Sequence, residues 1–457
     1  MTLYRLLYRL KYKAIMFVSR CARTATLRSQ RSSDSISTTQ AKILKLHESH
    51  KQLKRSPLND RVDQVKILKD QLMKRKPSLS EAMSFDMGKS AVESQKEIEK
   101  AVAHCDYYIK NAEAFLKPQT MKSGQRKIKA SLEASGVLFK ITPFNFPVWV
   151  GFKMLIPNLI LGNTVLIRPA MTCLSVGEAI ENLIKESSLE AFDIGYTAIE
   201  DTEAIVSNKH ISGVSFTGST ASGKTIGAIA GKYLKRCVLE LGGSDAFIVD
   251  YYSATERVIA DAITARLSNM GQVCSAAKRF FIKSDIIDDF VNLLTEKIDN
   301  YPVMPLYAEA AYEKLVDQIQ RGIVGGAEVI KGDLSKLKNK QTDIFVIRVE
   351  DKNSPLLTEE VFGPVFVLKK YDTDAEVLDM VNSCRYGLGC SIYNLNLDYA
   401  EKMANQVEAG MVFVNSHTVS KSELPWGGVK DSGYGRDCWK AGIETFANLK
   451  TIMHSGN

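Results

Sequence analysis

The sequence predicts an α/β protein in which parallel sheets carry helices on both faces. Three observations predict it. Between residues 137 and 240, short apolar runs alternate with helical stretches, the rhythm of strand–helix–strand units. A second alternating block runs from 246 to about 414. At 457 residues the chain is too long for one simple core, so two or three domains are expected.

The elements follow in order. From 41 to about 116 the pattern is helical, with long polar faces and breaks at Pro57 and Pro77. Residues 124–136 are basic and glycine-flanked, and read as a hairpin arm. Then 137–142 reads as strand, 148–161 as helix, 164–168 as strand and 173–186 as helix. The run continues with 213–216 as strand, 219–232 as helix and 237–240 as strand. No internal repeat is visible.

Composition excludes several classes. Hydrophobic content of 45% and charged content of 25% are ordinary for a globular enzyme. No run of about 18 apolar residues occurs, so no membrane insertion is expected. The eight cysteines show neither paired spacing nor Cys-x-x-Cys, which speaks against a disulfide framework and against a metal site. The net charge of +8 is concentrated at one end. Residues 1–40 hold Arg5, Arg9, Lys11, Lys13, Arg20, Arg23, Arg28 and Arg31 against Asp34 alone, leaving 52 basic and 51 acidic residues in 41–457. A nearly neutral body has no electrostatic footprint for nucleic acid. The N-terminal segment is rich in Arg and Ser, with Leu3, Leu6, Leu7 and Leu10 on one helical stripe. That pattern reads as a mitochondrial transit peptide, with the matrix as the expected location. The alternative is a disordered basic tail on a cytoplasmic protein.

Two stretches read as chemistry. Leu239-Glu240-Leu241-Gly242-Gly243 places a carboxylate 34 residues before Cys274, which ends Asn269-Met270-Gly271-Gln272-Val273-Cys274. A thiol on a glycine-containing loop, with a carboxylate as base, suits covalent acyl chemistry. Free cysteines more often fill a core, so Cys274 alone does not decide. A rival motif lies between. Gly218-Ser219-Thr220-Ala221-Ser222-Gly223-Lys224-Thr225 satisfies the Walker A pattern, and 246–250 passes for a Walker B strand. A P-loop nucleotidase would leave the stretches around Asn145, Glu240, Cys274 and Glu360 unexplained.

Together these stretches resemble the aldehyde dehydrogenase superfamily. So do Thr142-Pro143-Phe144-Asn145-Phe146-Pro147, Glu359-Glu360-Val361-Phe362-Gly363-Pro364 and Pro425-Trp426-Gly427-Gly428-Val429-Lys430-Asp431-Ser432-Gly433. The resemblance covers roughly residue 60 to the end. The stretches 236–245 and 274–280 look most like the shorter, bacterial-type succinate-semialdehyde dehydrogenases.

The resemblance implies an aldehyde-dehydrogenase-like fold: a Rossmann-type cofactor domain, a second α/β catalytic domain and a small β oligomerisation arm. The expected division gives 1–40 to the transit peptide and 41–122 with 137–241 to the dinucleotide-binding domain. Residues 242–433 form the catalytic domain, and 123–136 with 434–457 the arm and C-terminal segment. The implied reaction is NAD(P)-dependent oxidation of a small aldehyde to an acid through a cysteine thioester, in a homodimer or homotetramer. Cys274 is the nucleophile, Glu240 the base for water, and Asn145 an oxyanion donor. Phe144, Arg168, Gly218, Ser219, Leu241, Glu360 and Phe362 would bind the cofactor. In this setting the 218–225 stretch offers a helix N-terminus to a pyrophosphate.

Departures from the family pattern leave some choices open. Arg168-Pro169 stands where members usually have Lys-Pro, and Met171 where many NAD-preferring members have glutamate. An acid there repels a 2′-phosphate, so NAD or NADP both remain. Lys153, eight residues after Asn145, occupies the place of an arginine that binds the distal carboxylate of succinate semialdehyde. Lysine pairs with a carboxylate without the bidentate fork; the plain alternative is a surface lysine on a helix. Trp426 matches an aromatic near the substrate. The 274–360 stretch is short, with 299–305 in place of a longer loop and no clear strand around 344–349. Another small aldehyde, or a non-catalytic dinucleotide-binding homologue, are the alternatives.

Overall fold

The computed structural model describes residues 34–124, 126–250, 255–307, 309–339 and 341–454. Most of the expected transit peptide, 1–33, lies outside the described residues. The chain forms two compact units. The first comprises the residues up to Ser215, Ile229–Arg236 and the residues from Phe446 onward; the second is Phe216–Ala228 with Cys237–Thr445.

The first unit opens with α1 (Ile36–Leu53), α2 (Leu58–Lys74), α3 (Lys76–Met87) and α4 (Ala91–Leu116). Both prolines sit where a helix tolerates them, Pro57 as the cap of α2 and Pro77 in the first turn of α3. The Ser35 and Ser90 hydroxyls cap α1 and α4 by accepting the N–H groups of Thr38 and Glu93. The hairpin is β1 (Gln119–Ser123) and β2 (Arg126–Ala134), beginning before the expected 124. The C-terminal strand Ala447–His454 pairs antiparallel along β2, from Ala447 opposite Ala134 to His454 opposite Lys127. Next come β3 (Val137–Ile141), α5 (Pro147–Leu161), β4 (Thr164–Arg168), α6 (Leu174–Ser187) and β5 (Phe192–Ile194). β3, β4 and β5 are parallel neighbours, and β6 (Ile211–Thr217) lies beside β3. Every residue of α5 is buried.

The second unit takes the end of β6, most of α7 (Thr220–Lys232) and most of β7 (Arg236–Glu240). It continues with β8 (Asp245–Val249), α8 (Glu256–Leu267), β9 (Ala277–Lys283), α9 (Ile287–Ile298) and α10 (Glu309–Val324). Then come β10 (Glu328–Lys331), β11 (Phe345–Arg348), β12 (Val365–Tyr371), α11 (Asp374–Asn382), β13 (Tyr386–Gly387), β14 (Gly389–Tyr393), α12 (Leu397–Ala404) and β15 (Met411–Val414). Seven of these strands make one sheet of order β10-β11-β12-β9-β8-β14-β15, parallel except for β10. Alternating residues feed its two faces. Phe247, Phe280 and Phe366 pack with α8 and α9, while Ala246, Ile248 and Phe281 pack with α11 and α12. The strand that was unclear in the sequence is present as β11, with Phe345, Val346 and Ile347 fully buried.

Two expected boundaries change. Residues 34–40 belong to the fold: the Asp34 N–H donates to Tyr196 O at 2.6 Å, and Asp34 Oδ2 accepts the Tyr196 N–H at 3.0 Å. Residues 216–228 and 237–241, expected with the dinucleotide-binding domain, group with the second unit, as do 434–445. These segments pack on one another and on the rest of the second unit, where Thr220 Oγ1 donates to Asp431 O at 3.3 Å. A Cβ on Gly223 of α7 would fall 2.2 Å from Leu241 Cδ2. The pair Gly433–Tyr434 adds a short antiparallel strand against Glu240 and Leu239 of β7.

Candidate active site

Cys274 sits on a turn built by backbone conformations that most residues avoid. Asn269 and Met270 adopt left-handed φ values of 50° and 54°, and Gly271 follows at 72°. A Cβ at Gly271 would lie 2.4 Å from Gly363 O, so only glycine fits there. Gln272 locks the turn through its side chain, which donates to Asn269 O at 3.0 Å and accepts the Tyr307 N–H at 3.0 Å. Beneath the turn lies Lys278, fully buried on β9. Its ammonium donates to Cys274 O at 2.7 Å, Val273 O at 2.9 Å and Ala276 O at 3.3 Å. Burial lowers its pKa, opposed by the charges of Glu360 and Asp245.

Cys274 differs from the other described cysteines in its setting. Burial pushes the Cys237 thiol up to about 11 and Cys390 up to about 12, and raises Cys105 and Cys173 as well. Such thiols are poor nucleophiles. Cys274 is partly exposed and has a lysine ammonium against its own backbone. The cysteines recorded in the structure are all free.

The glutamate loop and the nucleophile turn meet. A Cβ on Gly243 would lie 2.5 Å from Cys274 O, and one on Gly242 would lie 2.4 Å from Glu360 Oε2. The two glycines therefore allow three segments to converge: 240–243, 273–276 and the Glu360 loop. Glu240 ends β7, buried to 4% exposure, and its carbonyl accepts the Gly218 N–H at 3.1 Å. The Leu241 N–H donates to Ser432 O at 3.1 Å, and Ser432 Oγ donates to Gly242 O at 2.7 Å. Glu360 Oε1 accepts the Gly243 N–H at 3.2 Å and lies 3.9 Å from Lys278 Nζ. The acidic pair is divided in its duties. Glu359 is held by Arg321 at 2.8 and 3.0 Å and by Gln318 at 2.9 Å. Phe362 is half-buried, and Trp426 is buried with its backbone bridged to Asp437 at 2.8 Å in both directions.

The Walker reading is corrected by this geometry. Lys224 is mostly solvent-exposed and ion-paired with Asp431 at 3.6 Å, so it does not curl over the 218–223 turn. β8, the supposed Walker B strand, pairs with β9 and β14 in a different sheet from β6. Ser219 instead caps α7, its hydroxyl accepting the Ser222 N–H at 3.2 Å.

The first unit holds the remaining candidates. Asn145, 8% exposed, precedes α5. Its carbonyl accepts from Lys89 Nζ at 3.1 Å, and the same ammonium lies 3.9 Å from the Phe146 ring centre and pairs with Glu97. Glu97 in turn accepts the N–H groups of Val148 and Trp149, both at 2.9 Å, and so caps α5 from outside the helix. The Phe144 carbonyl faces the Cys173 thiol at 3.6 Å. Lys153 is buried at 1% exposure, which overturns the surface-lysine alternative. Arg168 ends β4; its Nε donates to Thr197 O at 2.9 Å, while its Nη2 is buried with no partner. Burial lowers its pKa. An orphaned guanidinium N–H fits an incoming phosphate or hydroxyl oxygen, since an unmade buried hydrogen bond costs about 1–3 kcal/mol.

Sequence reasoning missed Lys278, Arg266 and the Lys89–Glu97 pair. Arg266 is fully buried on α8, its pKa lowered to about 9 by burial, and its Nη2 donates to Val361 O at 2.8 Å and to Gly363 O. The available signal was a lysine inside the apolar strand that follows Cys274. Among the described residues, no cluster of three or more His, Cys, Asp or Glu could hold a metal, and no helix is long and apolar enough to cross a membrane.

Comparisons with known proteins bear on the family and the fold. Residues 25–452 match the aldehyde dehydrogenase family. The succinate-semialdehyde dehydrogenase (NADP(+)) of Deinococcus radiodurans is 31% identical over 426 residues, covering 90% of this chain and 89% of that protein. The Mycobacterium tuberculosis succinate-semialdehyde dehydrogenase (NADP(+)) 1 is 32% identical over 388 residues, covering 81% and 84%. The crystal structure of succinic semialdehyde dehydrogenase from Streptococcus pyogenes, in complex with NADP+, superposes with a TM-score of 0.89 at 29% identity, covering 93% and 97%. By its motifs, its fold and a match spanning nearly its whole length, the chain belongs to the aldehyde dehydrogenase family.

Proposed function

We propose that the chain oxidises succinate semialdehyde to succinate with NADP. The observation that carries the aldehyde chemistry is the convergence of the Glu240 loop, the Cys274 turn and Glu360 across Gly242 and Gly243. Three further points support the substrate and cofactor. The similar proteins named above are succinate-semialdehyde dehydrogenases named for, or bound to, NADP. Lys153 is a buried cation in the family's place for recognising a distal carboxylate. Arg168 carries an unpartnered N–H, and Met171 stands where an acid would repel a 2′-phosphate.

The chain's own residues divide the work as follows. Cys274, as thiolate, attacks the aldehyde carbon. The charge that develops on oxygen is held by the Cys274 backbone N–H and, by family correspondence, by the Asn145 amide. Bound NADP supplies acceptance of a hydride from the substrate carbon. Glu240 takes a proton from the water that cleaves the Cys274 thioester. Glu360 and Arg168 are the groups that would hold the cofactor's hydroxyl and phosphate oxygens.

The test follows NADPH absorbance with succinate semialdehyde and an uncharged aldehyde of equal length, each with NADP and NAD. The expected order is succinate semialdehyde with NADP first. A preference for the uncharged aldehyde removes the substrate, a preference for NAD removes the cofactor choice, and NADP binding without turnover makes the chain a non-catalytic homologue.

Location and assembly belong to the same proposal. The basic, acid-poor segment 1–33 supports delivery to the mitochondrial matrix. Met121, Leu449, Ile452 and Met453, exposed on the three-stranded sheet, support a homodimer or homotetramer. Sedimentation of the purified chain as a monomer removes the second.

A further inference from the structure

We propose that Lys278 is a positioning residue that aims the oxyanion-binding N–H of Cys274. The inference rests on the reading of Cys274 as nucleophile and deepens it. A lysine ammonium has three protons to donate. All three carbonyls within hydrogen-bond distance belong to the nucleophile turn: Val273 at 2.9 Å, Cys274 at 2.7 Å and Ala276 at 3.3 Å. Val273 C=O and Cys274 N–H are opposite ends of one peptide group. The described peptide bonds are trans, so in this planar unit the N–H points away from the carbonyl. Holding Val273 O downward on Lys278 therefore turns the Cys274 N–H toward the opposite side of the turn. The Cys274 carbonyl, held by the same ammonium, fixes the Ser275 N–H in the same way.

The arrangement has a second consequence. A positive charge on the carbonyl end polarises the peptide and makes its N–H a better donor to a developing anion, because hydrogen bonds in a chain reinforce each other. Neutral donors at the same place would orient the turn with less polarisation. Burial opposes the Lys278 charge, and three carbonyls with the carboxylates of Asp245 and Glu360, the latter 3.9 Å from its nitrogen, favour it. Its three protons are thus given to the turn, and its charge is balanced by the loop that carries Glu360.

The experiment compares two reactions of Cys274 that need no cofactor. Acylation by p-nitrophenyl acetate forms a bond from the thiolate sulfur to the carbonyl carbon, passes through a tetrahedral oxyanion and expels p-nitrophenolate; water then releases acetate. Alkylation by iodoacetamide displaces iodide and forms no oxyanion. Lys278→Met keeps the aliphatic volume and removes the donors and the charge. The expected result is a fall of about ten- to a hundredfold in ester acylation and in kcat/KM for the aldehyde. That is somewhat below the roughly 10²–10³-fold loss on deleting an oxyanion donor, since the N–H is misaimed rather than absent. Losing the Lys278 charge also lowers the thiolate fraction, so both rates are read at the alkaline plateau of their pH profiles; there alkylation should stay within about twofold of the original chain. Lys278→Gln retains an N–H donor without charge and should fall between. Equal losses in acylation and alkylation would mean a collapsed turn and overturn the proposal, as would acylation unchanged in Lys278→Met. If Lys278→Met does not fold, the same two rates in Lys278→Gln decide. Retained turnover in Cys274→Ser overturns the nucleophile reading instead, with Lys278 untouched.

Discussion

In the proposed reaction Cys274 and Glu240 act on the aldehyde carbon and Lys153 recognises the substrate, and the loss of each is expected to show differently. Cys274→Ser removes the thiolate but little volume. Aldehyde oxidation should fall to below about one per cent, since a serine hydroxyl is hardly ionised at neutral pH. NADP binding, followed by fluorescence, should be nearly intact because the Glu360 loop is untouched; turnover above a few per cent would mean that another residue is the nucleophile. Glu240→Gln keeps the shape of the β7 terminus and removes the base. Hydride transfer precedes the need for that base, so rapid mixing should show a burst of NADPH followed by a slow phase. A slow trace without a burst would move Glu240 to the acylation step. Lys153→Met preserves the packing of α5 while deleting a charge. A charge-assisted hydrogen bond of about 1.5–3 kcal/mol corresponds to roughly a ten- to hundredfold rise in KM for succinate semialdehyde. An uncharged aldehyde of similar length should be almost unaffected. Equal losses on both substrates would assign Lys153 to the core.

At the scale of elements, the first turn of α5 depends on another helix. Helix N-termini leave N–H groups unpaired, and α5 begins Phe146-Pro147 with no side chain of its own to cap it. Glu97 on α4 supplies two acceptor bonds and is balanced by Lys89. Both charged side chains are 1% exposed. Glu97→Gln leaves a buried ammonium uncompensated, at a cost of about 3–5 kcal/mol, or a fall in melting temperature on the order of 10 °C. The exposed Lys66–Asp63 pair at 2.8 Å provides the contrast. Lys66→Ala should change stability by less than about 1 kcal/mol, and similar shifts for both variants would deny the buried Lys89–Glu97 pair its role in stability. The elements themselves were legible because their signals are local. Apolar runs of four to seven residues marked β3, β4, β6 and β7, and Pro57 and Pro77 fell at helix starts. The Glu97 cap was not legible, since it joins α4 and α5 across 51 residues and looks in sequence like one more acid on a polar face. Lys278 hid for the opposite reason. A lysine in a strand is usually read as pointing to solvent, and only the helices packed on both sides of the sheet that holds β9 show that both faces are covered. Glu359 and Glu360, indistinguishable as a sequence pair, are separated by Arg321 and Gln318 on α10, which claim the first and leave the second to the site.

For the molecule as a whole, the decisive boundary lies at Asp34. Upstream, the chain carries eight basic residues and no acid. Asp34, the first described residue, is tied into the fold: its backbone and carboxylate both pair with Tyr196, and Lys42 Nζ lies 2.8 Å from Oδ2. Removing 1–33 should leave the melting temperature within about 2 °C and kcat/KM unchanged, because no described contact of the body is cut. Removing 1–40 should be costlier. It takes Asp34, the Ser35 cap and the buried Thr39 of α1, and a lost helix cap alone costs about 0.5–2 kcal/mol. The two truncations therefore separate a targeting segment from a structural one. If removal of 1–33 destabilises the protein as much as removal of 1–40, the segment is part of the fold and the transit reading fails on stability alone. Targeting is tested independently by fusing 1–33 to a fluorescent reporter in eukaryotic cells. Import depends on an Arg-rich, acid-poor amphipathic helix, so the reporter should collect in mitochondria and disperse to the cytosol when Arg5 and Arg9 are both changed to Glu, which places acids on the basic face. A reporter that stays cytosolic with the natural segment, or one that still enters mitochondria with both glutamates, would remove the matrix assignment and leave the catalytic reading standing.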